Sequence, residues 1–177
     1  ASQVDPSIPN FIRANPFSFV ESPFDAKGRL QIWTHGVFPY DRTQAAYEAF
    51  EKVLSDHAVA MARAGISATM SFACAANAMM IEPVLYWTDR PTRLHVNGMS
   101  DMSGNQTATD NKAASSLVRT IRGDFLNCME PLGAAHMQYG RMYPYTSVTN
   151  DHTVVLLNGL KRILDPKRLI NPGALDI

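Results

Sequence analysis

Ser67-Ala-Thr-Met-Ser-Phe-Ala-Cys-Ala-Ala-Asn-Ala-Met-Met-Ile-Glu-Pro-Val-Leu-Tyr-Trp87 is the stretch that decides the fold. Alternation puts Ala68, Met70 and Phe72 on one side of a strand over 67–73, and a more apolar strand runs from Ala78 to Trp87. The corner Cys74-Ala-Ala-Asn77 joins them as a hairpin. Upstream, Leu30, Ile32 and Thr34 alternate with Gln31, Trp33 and His35, which marks a first strand over 30–37. Between that strand and the hairpin, Ala46, Phe50, Val53, Leu54, His57 and Met61 recur at helical spacing. Their helix is capped by Asp41 or Thr43, runs to about Ala64 and is stopped by Gly65.

Downstream of the hairpin, a polar loop over 97–110 leads to a second helix opened by Asp110 or Thr109. Its apolar set is Ala114, Leu117, Val118, Ile121, Phe125 and Cys128, and Pro131-Leu-Gly133 ends it. A short strand over Ala134–Tyr139 and a last helix over Asn150–Leu164 follow, the helix burying Val154, Leu157, Leu160 and Leu164. Strand, helix, strand, strand, helix, strand is the split βαβ order of a ferredoxin-like sheet. The expected class is therefore α+β, an antiparallel sheet backed by helices, with a C-terminal helix and tail. Helices cover one sheet face, so the other must be solvated, occupied by another domain or shared with a partner. Residues 1–28, with Pro6, Pro9, Pro16 and Pro23, read as an extended arm. Residues 29–147 form the α+β unit, and 148–177 a helix and tail packed on it.

Lys plus Arg equals Asp plus Glu at 16 each, so no global field recruits nucleic acid or an anionic membrane. Cys74 and Cys128 supply neither a disulfide framework nor a zinc pair, and read as buried free thiols. No apolar run is long enough to span a bilayer and no signal peptide opens the chain, so a soluble protein is expected, with the cytoplasm as the default compartment. The start at Ala-Ser-Gln-Val fits a processed product, a fragment or an excised piece.

The closing stretch Leu160-Lys-Arg-Ile-Leu-Asp-Pro-Lys-Arg-Leu-Ile-Asn-Pro-Gly173 ends a helix at Asp165-Pro166 and turns again at Asn171-Pro-Gly173. Its wording resembles the terminus of FAD-linked oxidases of the vanillyl-alcohol oxidase and p-cresol methylhydroxylase superfamily. The similarity extends through Gly28-Arg-Leu-Gln-Ile-Trp33, the Gly65 turn, Ala78-Met-Met-Ile81 and Leu117-Val-Arg-Thr-Ile121. The resemblance implies the C-terminal cap, or substrate, domain of an enzyme that oxidises an alcohol, hydroxy acid or benzylic substrate by hydride transfer to flavin. FAD would be bound mainly by a partner N-terminal FAD-binding domain, with Asn171 and Gly173 as this chain's cofactor contacts. No Gly-rich phosphate loop is visible here, so the isolated chain is expected to be inactive.

Departures from the family narrow that implication. Met80 stands where covalent members place a flavin-linked His, so the flavin is not attached through this domain. Ala135-His136 stands where phenol oxidisers present a Tyr-Arg pair. The hydroxyacid branch's His-rich motif and Gly-Glu-His-Gly segment are matched by Ala73–Met80, without His, and Gly133-Ala-Ala-His136, without Glu; no catalytic metal is expected.

The candidate chemistry then falls to two clusters. In the segment His136–Tyr145, a strand would put His136 and Gln138 on one face, with Met137 and Tyr139 on the other. His136 is a candidate proton acceptor and Arg141 a holder of carboxylate or reduced-flavin charge. Glu82 interrupts an apolar strand and shares a face with Met80 and Val84, so it is the second acid-base candidate. Trp33 and His35 wall the same pocket, and Met80, Gln138 and Tyr139 complete the substrate set. Two alternatives stand beside this reading: a D-2-hydroxyacid dehydrogenase-type fragment, and a non-catalytic module that binds or dimerises through its open sheet. The small-molecule substrate is unspecified and a homo-oligomer is left open.

Overall fold

The computed structural model describes residues 28–74, 76–90, 92, 109–137 and 140–177. The arm over 1–27, most of the 97–110 loop, and Gln138 and Tyr139 lie outside them. Seven main elements follow in order: β1 (Arg29–Trp33), β2 (Gly36–Pro39), α1 (Thr43–Ala64), β3 (Ser67–Cys74), β4 (Ala78–Thr88), α2 (Lys112–Met129) and α3 (Asp151–Leu164). The class is α+β, with a four-stranded antiparallel sheet and three helices.

β4 is the spine of the sheet. β3 pairs along one edge of it, from Ser67 opposite Tyr86 to Cys74 opposite Met79. β1 and β2 share the other edge in one unbroken register, from Arg29 opposite Thr88 to Pro39 opposite Ala78. The expected single strand over 30–37 is thus split at Thr34-His35, and Pro83 is the cause. Thr34 donates its N–H to Pro83 O at 3.1 Å, but proline has no N–H to return. Towards β3, residue 83 occupies a position whose backbone groups point away from the partner, which is why proline is tolerated in a central strand.

Parity along β4 sorts the two faces. Ile81, Pro83 and Leu85 turn to the helices, where Ile81 and Leu85 join Phe38, Phe50, Ile121 and Phe125 in one core. Phe50 sits at its centre, edge-on to Phe38 at 5.8 Å and to Phe125 at 5.4 Å. Close packing also explains Gly36, where a Cβ would stand 2.6 Å from the Phe38 ring. The even residues of β4, Met80, Glu82, Val84 and Tyr86, face the side opposite α1 and α2.

Several boundaries differ from expectation. Neither Asp41 nor Thr43 caps α1; Arg42 holds the N-cap position without a side-chain bond, and Thr43 Oγ1 donates instead to Pro39 O at 3.3 Å. Asn111, not Asp110 or Thr109, caps α2 by accepting from Ala114 N at 3.2 Å. Gly65 ends α1 at φ 67°, whereas α2 ends at Met129 and Gly133, at φ 71°, closes the 3-10 turn Glu130–Leu132 that follows it. The strand over Ala134–Tyr139 reduces, among the described residues, to one antiparallel bridge between Ala135 and Val37. Cys74 is exposed rather than buried. Cys128 donates to Phe125 O, and burial pushes its thiol up to about 11.

Asp89 ties the end of β4 to the start of α2. Its carboxylate accepts from Arg90 N at 2.7 Å, Asn111 N at 2.6 Å and the Ser115 hydroxyl. Burial alone would raise this carboxyl, but those donors, with the Lys112 charge, hold it below the ordinary range.

α3 departs most from expectation. Leu160 is 46% and Leu164 75% exposed, rather than buried, and Leu156 and Ile163 are exposed beside them. What the closing motif does is local. Asp165 Oδ2 pairs with Lys161 at 2.7 Å, and its two oxygens accept from Leu169 N at 2.8 Å and Ile170 N at 3.0 Å. The Lys161 bond and those two N–H groups hold the Asp165 carboxyl below the ordinary range. This contribution is therefore present above the ordinary carboxylate pKa and is lost as acid titrates the folded chain. Asp165→Ala is expected to speed amide exchange at Leu169 and Ile170 roughly tenfold. Unchanged exchange at both amides would show that the turn holds without its carboxylate.

Candidate functional site

Trp33, His35, Met80 and Glu82 fall in adjacent rows of the sheet on the side opposite α1 and α2, as their register requires. Trp33 opposes Val84, Met80 opposes Val37, and the row between them sets His35 beside Glu82 across the Thr34-His35 break. Trp33 is 40% exposed. Glu82 is half-buried, and the Ser71 hydroxyl donates to its Oε2 at 3.3 Å. Burial raises the Glu82 carboxyl, and the Ser71 bond only partly offsets it. No ion pair is formed by Glu82 among the described residues.

His35 and His136 are both buried, and with Tyr143 they form a polar cluster at the sheet edge. Because the Thr34 backbone faces β4, the N–H and C=O of His35 point outward, where a further strand would bind them. Side chains take that place. His35 N donates to Tyr143 Oη at 2.9 Å, and His136 Nδ1 donates to His35 O at 3.1 Å. The His35 ring adds a second clasp, with Nε2 accepting from Met137 N at 2.9 Å and Nδ1 lying 3.0 Å from Tyr143 Oη.

These contacts fix both tautomers. Nε2 of His35 receives an N–H and so carries no proton; the neutral ring keeps it on Nδ1 and donates to Tyr143. His136 donates from Nδ1 to a carbonyl, so its lone pair lies on Nε2. Its ring stacks on Tyr143 at 4.4 Å. Burial lowers both imidazoles, with His136 adding to the effect at His35. Burial raises Tyr143, while His35 and Arg122 pull it back. His35, His136 and Tyr143 are uncharged near pH 7.

Two members of this cluster were not singled out by the sequence. Tyr143 lies in the segment read as chemistry-bearing, but only the broken strand gives its hydroxyl a task. Arg122, on α2, donates to Met142 O at 3.0 Å and stands 5.8 Å from the Tyr143 ring centre. Its Nε is buried with no partner among the described residues. Helical periodicity gave no signal for it.

The remaining candidates sit apart from Glu82. Arg141 is exposed and approaches Gly173, where a Cβ would lie 4.0 Å from its Nε. The tail returns to this segment through Leu175 N to Gly140 O at 2.7 Å and Tyr145 N to Asp176 at 3.0 Å. Arg141, Asn171 and Gly173 thus belong to one tail turn. Among the described residues no group of three His, Cys, Asp or Glu is placed to hold a metal ion, and no helix is long and apolar enough to cross a membrane.

No family model and no curated protein matches the chain. Two crystal forms of alkyldihydroxyacetonephosphate synthase are similar at 11% identity over 82% of this chain, with TM-scores of 0.43 and 0.38. The chain spans 20% and 19% of those two structures, about a fifth of that enzyme. At such scores the likeness carries neither fold nor chemistry.

Proposed function

We propose that this chain is the cap, or substrate, domain of an FAD-linked oxidoreductase of the vanillyl-alcohol oxidase and p-cresol methylhydroxylase superfamily. The observation that carries the reading is the sheet face opposite α1 and α2, where a half-buried Glu82, without an ion-pair partner among the described residues, lies near the exposed Trp33 and Met80. A carboxylate kept there at a cost in desolvation is better explained by a ligand than by packing. The closing Asp165–Gly173 motif supplies the family resemblance.

In this reading residues 29–147 wall the substrate pocket, and 148–177 meet the FAD-binding domain. The exposed apolar side of α3 supports that division. Gly173, at φ 75° and backed by Arg141, fits a contact with a cofactor edge; among the described residues no run of glycines cradles a pyrophosphate. The flavin, when bound, supplies the hydride acceptor for oxidation of an alcohol, hydroxy acid or benzylic carbon. Glu82 accepts a hydrogen bond from the substrate, Trp33 and Met80 pack against it, and His35 with Tyr143 fixes the pocket edge. His136 takes the hydroxyl proton through Nε2, and Arg141 balances negative charge at the tail turn.

Single-turnover flavin reduction in the intact enzyme tests these roles. His136→Ala and Arg141→Ala are each expected to slow it about a hundredfold; unchanged rates with both replaced would remove them from the chemistry. A second reading, an assembly module without catalysis, draws on the same exposed α3 stripe. An upstream flavin-binding domain in the complete coding sequence separates the two.

A further inference from the structure

Where β4 runs towards α2, on the helix side of the sheet, the chain forms a cavity of about 520 Å³. Parity places its floor: Leu30 opposes Trp87 and Ile32 opposes Leu85, so both residues of β1 turn to the side that α2 occupies. Leu30 is 6% and Val118 2% exposed, so the floor is recessed, and the Trp87 indole supplies an aromatic wall. Trp87 Nε1 donates to Ser115 Oγ at 2.9 Å, and Ser115 donates in turn to Asp89, which holds the indole in place. Lys112, Ser115 and Arg119 of α2 follow at i, i+3 and i+7, one stripe along the rim.

Charge in this lining is uneven. Arg90, Lys112 and Arg119 stand around it, with Asp89 as the one acid among the described lining residues. Asp89 already accepts from Arg90 N, Asn111 N and Ser115, and the Arg90 guanidinium pairs with Asp110 at 3.2 Å. Lys112 and Arg119 remain as exposed cations beside a recessed apolar floor. Such a pairing suits a ligand with a flat apolar body and one acid group.

We propose that this cavity binds a small aromatic acid, its ring against Trp87, Leu30 and Ile32 and its acid group held by Lys112 and Arg119. The cavity lies on the opposite side of the sheet from Glu82, so the proposal stands apart from the oxidase reading. The ring gains apolar burial at the floor. Arg119 grips the acid through paired N–H donors, and Lys112 adds a point charge. A neutral ring gains only the first contribution, and an acid without a ring only the second.

NMR titration of the 177-residue chain with benzoate, benzyl alcohol and acetate at constant ionic strength tests this. The Trp87 indole N–H and Val118 methyls report on the cavity, and the Trp33 indole, on the other side of the sheet, is the control. Benzoate is expected to shift both reporters at concentrations at least about tenfold below benzyl alcohol, the factor one charge-assisted hydrogen bond supplies. Acetate, lacking the ring, should trail benzoate by at least as much. A Lys112→Gln, Arg119→Gln double variant should bring benzoate and benzyl alcohol within about threefold at an unchanged melting temperature, because both side chains are exposed. Salt gives the same readout without a substitution: the advantage of benzoate should shrink as ionic strength rises, while the response to benzyl alcohol holds. Equal response to the acid and the alcohol, no shift of the Trp87 indole, an equal shift of Trp33, or a preference untouched by salt and by the double variant would overturn the proposal.

Discussion

Truncating Phe50 to alanine is expected to lower the stability of the chain by about 3–5 kcal/mol, the largest effect of any single core change. Phe50 is fully buried on α1, edge-on to Phe38 of β2 and Phe125 of α2. It is the side chain through which both helices and the sheet meet. Each ring is itself buried, and β2 is held by β4 and the Ala135 bridge, so the cavity has little chance to collapse. Lost transfer energy and lost aromatic contacts therefore add. A shifted denaturant midpoint with an unchanged slope is the expected signature. A loss under about 1 kcal/mol would mean that the three elements do not share one core.

That core was legible because its signal is periodic. Ala46, Phe50 and Met61 on α1, and Ala114, Val118, Ile121 and Phe125 on α2, are buried where helical spacing put them. The hairpin and its two faces followed from alternation in the same way. The split of the first strand was not legible, since it depends on Pro83 standing opposite Thr34 and so on a register no local pattern reveals. The last helix shows the complementary limit. Amphipathicity identified which residues of α3 are apolar, but an apolar stripe does not say what covers it, and Leu160 and Leu164 stand exposed.

The candidate site divides along the same line. Glu82 was visible as a charge in an apolar strand, and Met80 followed from parity, whereas the place of Trp33 diagonally across from it depends on the register. His136 was visible as chemistry, yet its Nδ1 bond to His35 O required knowing that the sheet edge is left open there. Tyr143 and Arg122 acquire meaning only from that edge. Residues whose role is to satisfy someone else's backbone carry no pattern of their own.

Tyr143→Phe isolates that role, and it is expected to cost about 2–4 kcal/mol while leaving every apolar contact of the ring in place. The hydroxyl accepts both the backbone N–H and the Nδ1–H of His35, which is 1% exposed, so its removal strands two buried donors at once. For a chain of this size that corresponds to a melting temperature lower by roughly 5–15 °C. The same clasp sets the response to acid. His35 and His136 both have lowered values, so their neutral forms stabilise the fold fully above the ordinary histidine pKa of 6.5, and that contribution is lost as pH falls through the folded values. A proton on His35 Nε2 would face the Met137 N–H it now accepts from, and the 134–143 segment would lose its anchor. Glu82 acts in the opposite sense at lower pH, because its raised carboxyl favours the folded chain as it protonates. Melting temperature should therefore decline from pH 6.5 downward in the wild-type chain, and the decline should flatten in a His35→Asn, His136→Asn double variant. Equal slopes in both proteins, or a Tyr143→Phe chain as stable as wild type, would show that the clasp is not what holds this edge.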